Sequence, residues 1–281
     1  MKKIIFLDVD GTLINYEAKL PVSAEKAVNM ARENGHKVFI CTGCSKAEIE
    51  QRDFRTMKLD GMIGANGGYV EDQGKVIMHK SLSKDDVKAI VDWCNEREIG
   101  FYLEANSGMY INDYYIKQGP EALAKYVLGK GKKIDDLAKF KAESMNQYIH
   151  LQGEDLYRDD VNKVSFVLRS YQDHLDSIKD FPNLVANTWG GKDEQALFGD
   201  LGVKGITKKH AIEVLLDHLH ASKEETISFG DAKIDLSMFE CCNYNVAMGN
   251  GGKQIKEAAD YITDDVDEDG LYNAFKKLNL I

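Results

Sequence analysis

Apolar positions along the chain fall into two textures. In the first, short continuous apolar runs stand directly before acidic or hydroxyl residues. Ile4-Ile5-Phe6-Leu7 precedes Asp8, Val38-Phe39-Ile40-Cys41 precedes Thr42, and the segment from Thr226 to Phe229 runs into Gly230-Asp231. Continuous runs of this length suit strands of a parallel sheet covered on both faces. Between the first two runs the pattern predicts a helix from Ala24 to Asn34, with Ser23 as N-cap and Gly35 in the left-handed position that ends it. Such a β-α-β unit predicts a right-handed crossover. Met62-Ile63-Gly64 and the segment from Tyr244 to Met248 read as further strands. Thr207 to His220 reads as a helix with Ile212, Leu215, Leu216 and Leu219 on one face.

The middle of the chain has the second texture. Ser83 and Asp86 open a helix that runs to about Arg97, with Val87, Ile90, Val91 and Cys94 inward. Gly100 to Ala105 and Met109 to Asn112 read as a hairpin. Further strands are expected at Gln147 to Leu151, Lys163 to Arg169, Leu184 to Thr188 and Gln195 to Phe198, and helices at Pro120 to Leu128 and Gln172 to Lys179. Strands linked in this way suggest an α+β module with its own open sheet. The expected fold class is therefore α/β: a Rossmann-like parallel-sheet core formed by residues 1–81 and 193–281, with an α+β domain inserted at residues 82–192. Trp189-Gly190-Gly191 falls where the inserted domain returns to the core, a place for a hinge or a substrate contact.

Composition narrows the partners. Lys plus Arg number 36 and Asp plus Glu 46, for a net charge of −10. That balance argues against nonspecific nucleic-acid or anionic-lipid binding, which needs a basic surface. No apolar run approaches the roughly 18–20 residues of a membrane span. The apolar N-terminal stretch is broken by Asp8 and Asp10 and has no small-residue cleavage site, so it does not read as a signal peptide. Five cysteines (Cys41, Cys44, Cys94, Cys241 and Cys242) at low density suggest reduced thiols in a cytoplasm. Cys41-Thr42-Gly43-Cys44 is formally a C-x-x-C, but Cys41 ends a buried run and reads as a small core residue. The adjacent Cys241 and Cys242 are poor spacing for a structural zinc.

Candidate chemistry concentrates where the apolar runs end. Asp8-Val9-Asp10-Gly11-Thr12-Leu13 places two carboxylates two residues apart behind a buried strand, where open α/β sheets bind ligands. Two buried negative charges need a cation or donors to offset them. A divalent Mg²⁺, with its preference for oxygen ligands, can bridge a carboxylate and a substrate phosphate. Gly11 permits the tight turn. If a helix begins near Asp231, Asp231 and Asp235 share one face. Taken alone, that pair reads equally well as first-turn helix acids. Thr42-Gly43 offers a hydroxyl and amides to a phosphate, and Lys208 opens a helix where it can neutralise a phosphoryl oxygen. Together the set has a coherent logic. Asp8 attacks phosphorus and Asp10 protonates the leaving oxygen and then activates water, while Mg²⁺, Thr42 and Lys208 stabilise the transferring group.

These four segments, in this order and on these elements, resemble the haloacid dehalogenase-like (HAD) superfamily of phosphohydrolases. The inserted module resembles the large α/β cap of its Cof-type branch. Ala65-Asn66-Gly67-Gly68, Val246-Ala247-Met248-Gly249-Asn250 and Asp267-Glu268-Asp269-Gly270-Leu271 match further segments of that branch. The resemblance implies Asp8 as nucleophile, Asp10 as acid/base, and Gly11, Thr42, Gly43 and Lys208 at the phosphate. It implies Cys44, Asn66 and Gly67 facing the substrate and cap. Mg²⁺ would be held by Asp8, the backbone carbonyl of Asp10 and Asp231, with Asp235 beside them. Lys208 is chosen over Lys204 and Lys209 because it stands three residues before Ala211-Ile212, as the family lysine precedes its Ala-aliphatic pair. The branch acts on sugar phosphates and other small phosphomonoesters, including phosphorylated cofactors.

Three departures matter. Cys44 stands where the branch usually has arginine, which removes a cation near the substrate entrance, Ile234 stands where it usually has asparagine, and Ala232 replaces a common Gly or Ser. The expected protein is a Mg²⁺-dependent phosphatase of small phosphate esters, a monomer or small homo-oligomer, with its site between core and cap. The alternatives are a phosphotransferase or mutase on the same chemistry, and a phosphate-ligand binder with weak catalysis. Competing site motifs are weaker. Asp265 to Gly270 begins like an EF-hand loop, but Lys276 occupies the position that needs Glu. Gly249-Asn250-Gly251-Gly252-Lys253 lacks the Ser/Thr and spacing of a phosphate loop. Gly129-Lys130-Gly131-Lys132-Lys133 reads as a solvated turn.

Overall fold

A computed structural model gives the fold, and it describes residues 2–52, 54, 56–129, 133–189 and 196–281. The strands in chain order are β1 (Ile4–Leu7), β2 (Lys37–Cys41), β3 (Gly61–Gly64), β4 (Tyr69–Asp72), β5 (Lys75–His79), β6 (Phe101–Ala105) and β7 (Met109–Ile111). They continue with β8 (Tyr148–His150), β9 (Val161–Val167), β10 (Leu184–Thr188), β11 (Phe198–Val203), β12 (Thr226–Gly230), β13 (Tyr244–Ala247) and β14 (Tyr261–Ile262). Two sheets contain them all, ordered β14-β13-β12-β1-β2-β3-β4-β5 and β10-β11-β9-β6-β7-β8.

The first sheet is parallel from β14 through β3, and a terminal β4–β5 hairpin extends it antiparallel. Its central strand, β1, lies between β2 and β12, with Leu7 opposite both Ile40 and Phe229. All four residues of β1 are buried. One cluster joins Ile4, Phe6, Phe39 and Ile63 to Ala211, Ile212, Leu215 and Leu216 of the helix Lys208–Leu219. The helix Val22–Glu33 buries Ala24, Ala27, Val28 and Ala31, and Phe275 of the helix Gly270–Lys277 packs on Phe229. Covered faces explain why these strands are apolar without alternation. The first helix starts earlier than Ser23 predicts. Pro21, with φ −61° and ψ 135°, is its N-cap, and the Ser23 hydroxyl is buried without a hydrogen-bond partner. Gly35 does take the left-handed conformation, at φ +86°.

The second sheet is antiparallel except for the β7–β8 pair. Leu103, Phe101, Val164, Phe166 and Leu201 pack with Val87, Ile90 and Trp93 of the helix Lys84–Glu96. Ser83 caps that helix, accepting from Asp86 N at 3.1 Å. Tyr102, Tyr115 and Tyr148 form a separate aromatic group. The helix expected to open at Pro120 opens at Asp113, after Asn112, whose side chain accepts from Tyr115 N at 3.0 Å. Pro120 therefore lies inside the helix. The helix Leu137–Glu143 and the β4–β5 hairpin are additions to the expected elements.

The chain divides into two compact units, Met1–Cys44 with Arg52–His79 and Ile206–Ile281, and Ser45–Gln51 with Lys80–Gly205. The expected return to the core at residues 192 and 193, the Gly190-Gly191 hinge and the start of the Gln195 strand lie outside the described residues, as do Lys130-Gly131-Lys132. The described part of that region corrects the boundary, because β11 pairs with β9 and β10 in the second sheet. Among the described residues, no helix is long and apolar enough to cross a membrane.

A buried polar tie holds the first unit at its edge. Asp60 receives Arg32 Nε and a second guanidinium nitrogen, both at 2.8 Å, and Val38 N at 2.8 Å. It thereby joins the first helix, β2 and the approach to β3. Asp60→Ala should lower unfolding stability by about 2 kcal/mol, since it strands a backbone N–H and a partly buried guanidinium. Urea denaturation followed by circular dichroism checks this, and an unchanged midpoint would refute the role.

Candidate active site

Parallel packing brings the ends of β1, β2 and β12 together, and the candidate residues stand immediately after them. Asp8 follows β1, Thr42 and Gly43 follow β2, and Asp231 follows β12. Lys208 opens its helix behind the N-cap Thr207, whose hydroxyl accepts from His210 N at 3.1 Å.

Lys208 is the centre of the arrangement. Its ammonium is 1% exposed and donates to Asp8 Oδ1 at 2.8 Å and to Asp235 Oδ1 at 2.7 Å. Of the two lysines weighed against it, Lys209 pairs with Glu240 at 3.5 Å and Lys204 Nζ lies 3.4 Å from the Pro182 carbonyl. Asp231 and Asp235 come together without the expected helix. A tight turn at Lys233–Asp235 precedes the short helix Leu236–Phe239. Asp235 Oδ2 accepts from Asp231 N at 3.2 Å and Ala232 N at 3.0 Å. Asp235 thereby orients Lys208 and closes the turn, and its oxygens stay beside those of Asp8 and Asp231. Asp231 has different partners: Thr12 Oγ1 donates to its Oδ1 at 3.3 Å, and the Tyr16 hydroxyl donates to its Oδ2.

Oxygen atoms of Asp8, Asp231 and Asp235 lie within 4.8 Å of one another, and all three residues are buried. Burial, and then the neighbouring Asp235, push the Asp8 carboxyl well above its ordinary range despite Lys208. Burial pushes Asp231 up to about 6, with Asp235 adding to it and Tyr16 and Thr12 opposing. Burial also works against the charge on Lys208, but Asp235 and Asp8 outweigh it and hold the ammonium above its ordinary pKa. One lysine thus faces three carboxylates. That excess of hard oxygen donors fits a divalent cation of the Mg²⁺ class. Asp8, Asp231 and Asp235 are the side chains placed to offer it oxygens.

Asp10 points elsewhere. Its side chain is 48% exposed and receives Arg52 in a fork, at 2.9 Å to Oδ1 and 3.0 Å to Oδ2. Cys44 Sγ lies 3.8 Å from Asp10 Oδ2 and 3.6 Å from the same guanidinium. The cation expected to be missing beside Cys44 is therefore supplied by Arg52, eight positions further on. Ile234, the second departure, is half exposed, and its carbonyl accepts from the Ser237 hydroxyl at 3.0 Å, away from the carboxylates.

Gly11, at φ +89°, lies where a Cβ would strike Asp231 and Tyr16. Gly67, at φ +103°, packs its backbone on the Thr207 carbonyl, which docks its loop on the start of the Lys208 helix. Asn66 Oδ1 is buried without a hydrogen-bond partner, and a Cβ on Gly43 would lie 3.0 Å from it. The Thr42 hydroxyl oxygen accepts from Cys44 N at 3.2 Å, which leaves its proton to donate. Cys41, Cys241 and Cys242 are buried free thiols, and burial raises the Cys41 pKa. Tyr16, Arg52 and Asn250, which donates to the Gly11 carbonyl at 2.7 Å, escaped the sequence reading as site contacts. Only Asn250 lay in a segment singled out beforehand.

A family profile described as haloacid dehalogenase-like hydrolase matches residues 5–275. The chain belongs to that family. Among its relatives, 5-amino-6-(5-phospho-D-ribitylamino)uracil phosphatase YwtE of Bacillus subtilis (strain 168) is 27% identical over 96% of this chain and 95% of its own. The solved structure of the HAD subclass IIB sugar phosphatase BT4131 matches with a TM-score of 0.77 and 27% identity, over 100% of both chains. A protein of Geobacillus kaustophilus HTA426 shares the fold, with a TM-score of 0.81 at 22% identity over 100% of both chains. Family and relatives together make the chain a HAD-like phosphatase.

The raised Asp231 pKa has a testable sign. The folded protein holds this proton more tightly than the unfolded chain, so its contribution to stability is full below the ordinary value of 3.8 and is lost as pH rises to about 6. In EDTA, denaturant stability should fall across that window, and Asp231→Asn should flatten the fall. An equally steep fall in the variant would remove Asp231 as its source.

Proposed function

We propose that this HAD-like phosphatase hydrolyses small phosphomonoesters, sugar phosphates or phosphorylated cofactors, with Mg²⁺ and through an aspartyl-phosphate on Asp8. The observation that carries the reading is the buried cluster in which Lys208 fixes Asp8 Oδ1 beside Asp231. In the first step an Asp8 carboxylate oxygen forms a bond to phosphorus as the ester P–O bond breaks, and Asp10 gives its proton to the departing oxygen. In the second step Asp10 takes a proton from water as that water attacks phosphorus, the Asp8–phosphorus bond breaks, and inorganic phosphate leaves. Throughout, Lys208 and the Thr42 hydroxyl offer donors to the phosphoryl oxygens. Mg²⁺, when bound at Asp8 and Asp231, supplies positive charge against that transferring group.

The named activities of YwtE and BT4131 support a sugar-phosphate or phosphorylated-cofactor substrate. The net charge of −10 supports a small ligand over a nucleic acid, and an anionic substrate needs the bound cation together with Lys208 to reverse the local field. A panel of sugar phosphates and phosphorylated cofactors, assayed by phosphate release with Mg²⁺ and then with EDTA, tests the reading. Mg²⁺-dependent release from at least one is expected, and none across the panel would overturn it. Asp8→Asn should lower kcat by about 10³-fold or more with an unchanged circular dichroism spectrum. Retained turnover would refute Asp8 as nucleophile.

A further inference from the structure

The Asp10–Arg52 pair has a geometry that stability does not explain. Asp10 is nearly half exposed, at 48%, and Arg52 is 22% exposed. Solvent-exposed pairs contribute about 0–1 kcal/mol to folding, and bidentate ones the most. This pair is bidentate, with both guanidinium contacts at 2.9–3.0 Å, and the same guanidinium also touches Cys44 Sγ. A planar fork on a carboxylate fixes both its position and its plane. Lys208, the other cation of the site, is directed to Asp8 and Asp235 and not to Asp10. Without Arg52 the hydrogen-bonding contact left to the Asp10 carboxylate among the described residues is the weak thiol of Cys44, at 3.8 Å.

We propose that Arg52 is the positioning residue for Asp10: its fork holds the ionised carboxylate in place, and when Asp10 takes up its proton one oxygen keeps a guanidinium contact while the other carries the proton to the leaving oxygen. The inference rests on the reading of Asp10 as acid/base given above. Arg52 takes no part in bond making at phosphorus. It acts through the orientation of Asp10, so its removal is felt where protonation of the leaving group matters. An alkoxide from a sugar phosphate leaves poorly without a proton, whereas p-nitrophenolate leaves without one. kcat/KM covers the steps through leaving-group departure, so comparing the two esters isolates this role from the later hydrolysis of the aspartyl-phosphate.

The test measures kcat/KM for p-nitrophenyl phosphate and for the sugar phosphate hydrolysed fastest in the panel above. For Arg52→Ala the loss on the sugar phosphate should exceed the loss on the aryl ester by about tenfold or more, a part of the range general-acid catalysis supplies. Arg52→Lys, which keeps the charge and loses the fork, should lie between Arg52→Ala and the parent. An equal loss on both esters, or no loss on the sugar phosphate, overturns the proposal. Asp10→Asn separates the two levels of inference. If it lacks the leaving-group-selective loss, the acid/base reading of Asp10 fails and the Arg52 proposal falls with it. If Asp10→Asn shows that loss and Arg52→Ala does not, the role of Arg52 alone is refuted.

Discussion

The site depends on one ammonium group shared by two buried carboxylates. Lys208, Asp8 and Asp235 are each costly to bury alone, and only the mutual arrangement makes their burial tolerable. The sheet order supplies that arrangement. β1 lies between β2 and β12, so the acids that follow β1 and β12 meet at one edge, and the helix bearing Lys208 packs its apolar face on the same sheet. Core packing and site electrostatics are therefore one constraint. Moving the helix by a turn would leave three carboxylates facing one another without their lysine.

The cations divide their work by depth. Lys208 is fully enclosed and serves the acids of the cluster, while Arg52 stands nearer solvent and serves Asp10. Each acid that follows β1 has its own cation, and Val9 between them is buried. Alternation along two residues thus separates an enclosed carboxylate from an accessible one, which keeps their environments distinct within a single short loop.

Much of this was legible in the sequence because the strands carrying the site are buried on both faces. Continuous runs such as Ile4 to Leu7 leave little choice of element, and acids at their ends stand out. The β4–β5 hairpin was not legible for the converse reason. β5 is half exposed at the sheet edge, so Lys75 to His79 carries no continuous buried run. Pro120 misled by its strength as a helix-start residue, where Asn112 does the capping. Asp231 and Asp235 were paired correctly but on the wrong device, since a turn closed by Asp235 on two backbone N–H groups achieves what helical spacing would have done. Arg52 gave no signal, because its partner lies 42 positions earlier and only the fold brings them together. The break at Cys44 was visible in the sequence; its compensation was not.

The central strand also sets an order on the making of the protein. Ile4 pairs with Lys37 on one side and with Thr226 on the other. On a ribosome adding about 5–20 residues per second, roughly 10–40 s separate the emergence of those two partners. For that interval β1 can hold its β2 edge while its other edge presents unpaired backbone groups and apolar side chains. The whole inserted domain is synthesised and free to fold in the meantime. Asp8 waits equally long for Lys208. The nascent chain therefore carries an open, aggregation-prone strand edge through that interval, and completion of the central sheet and of the charge balance around Lys208 arrive together.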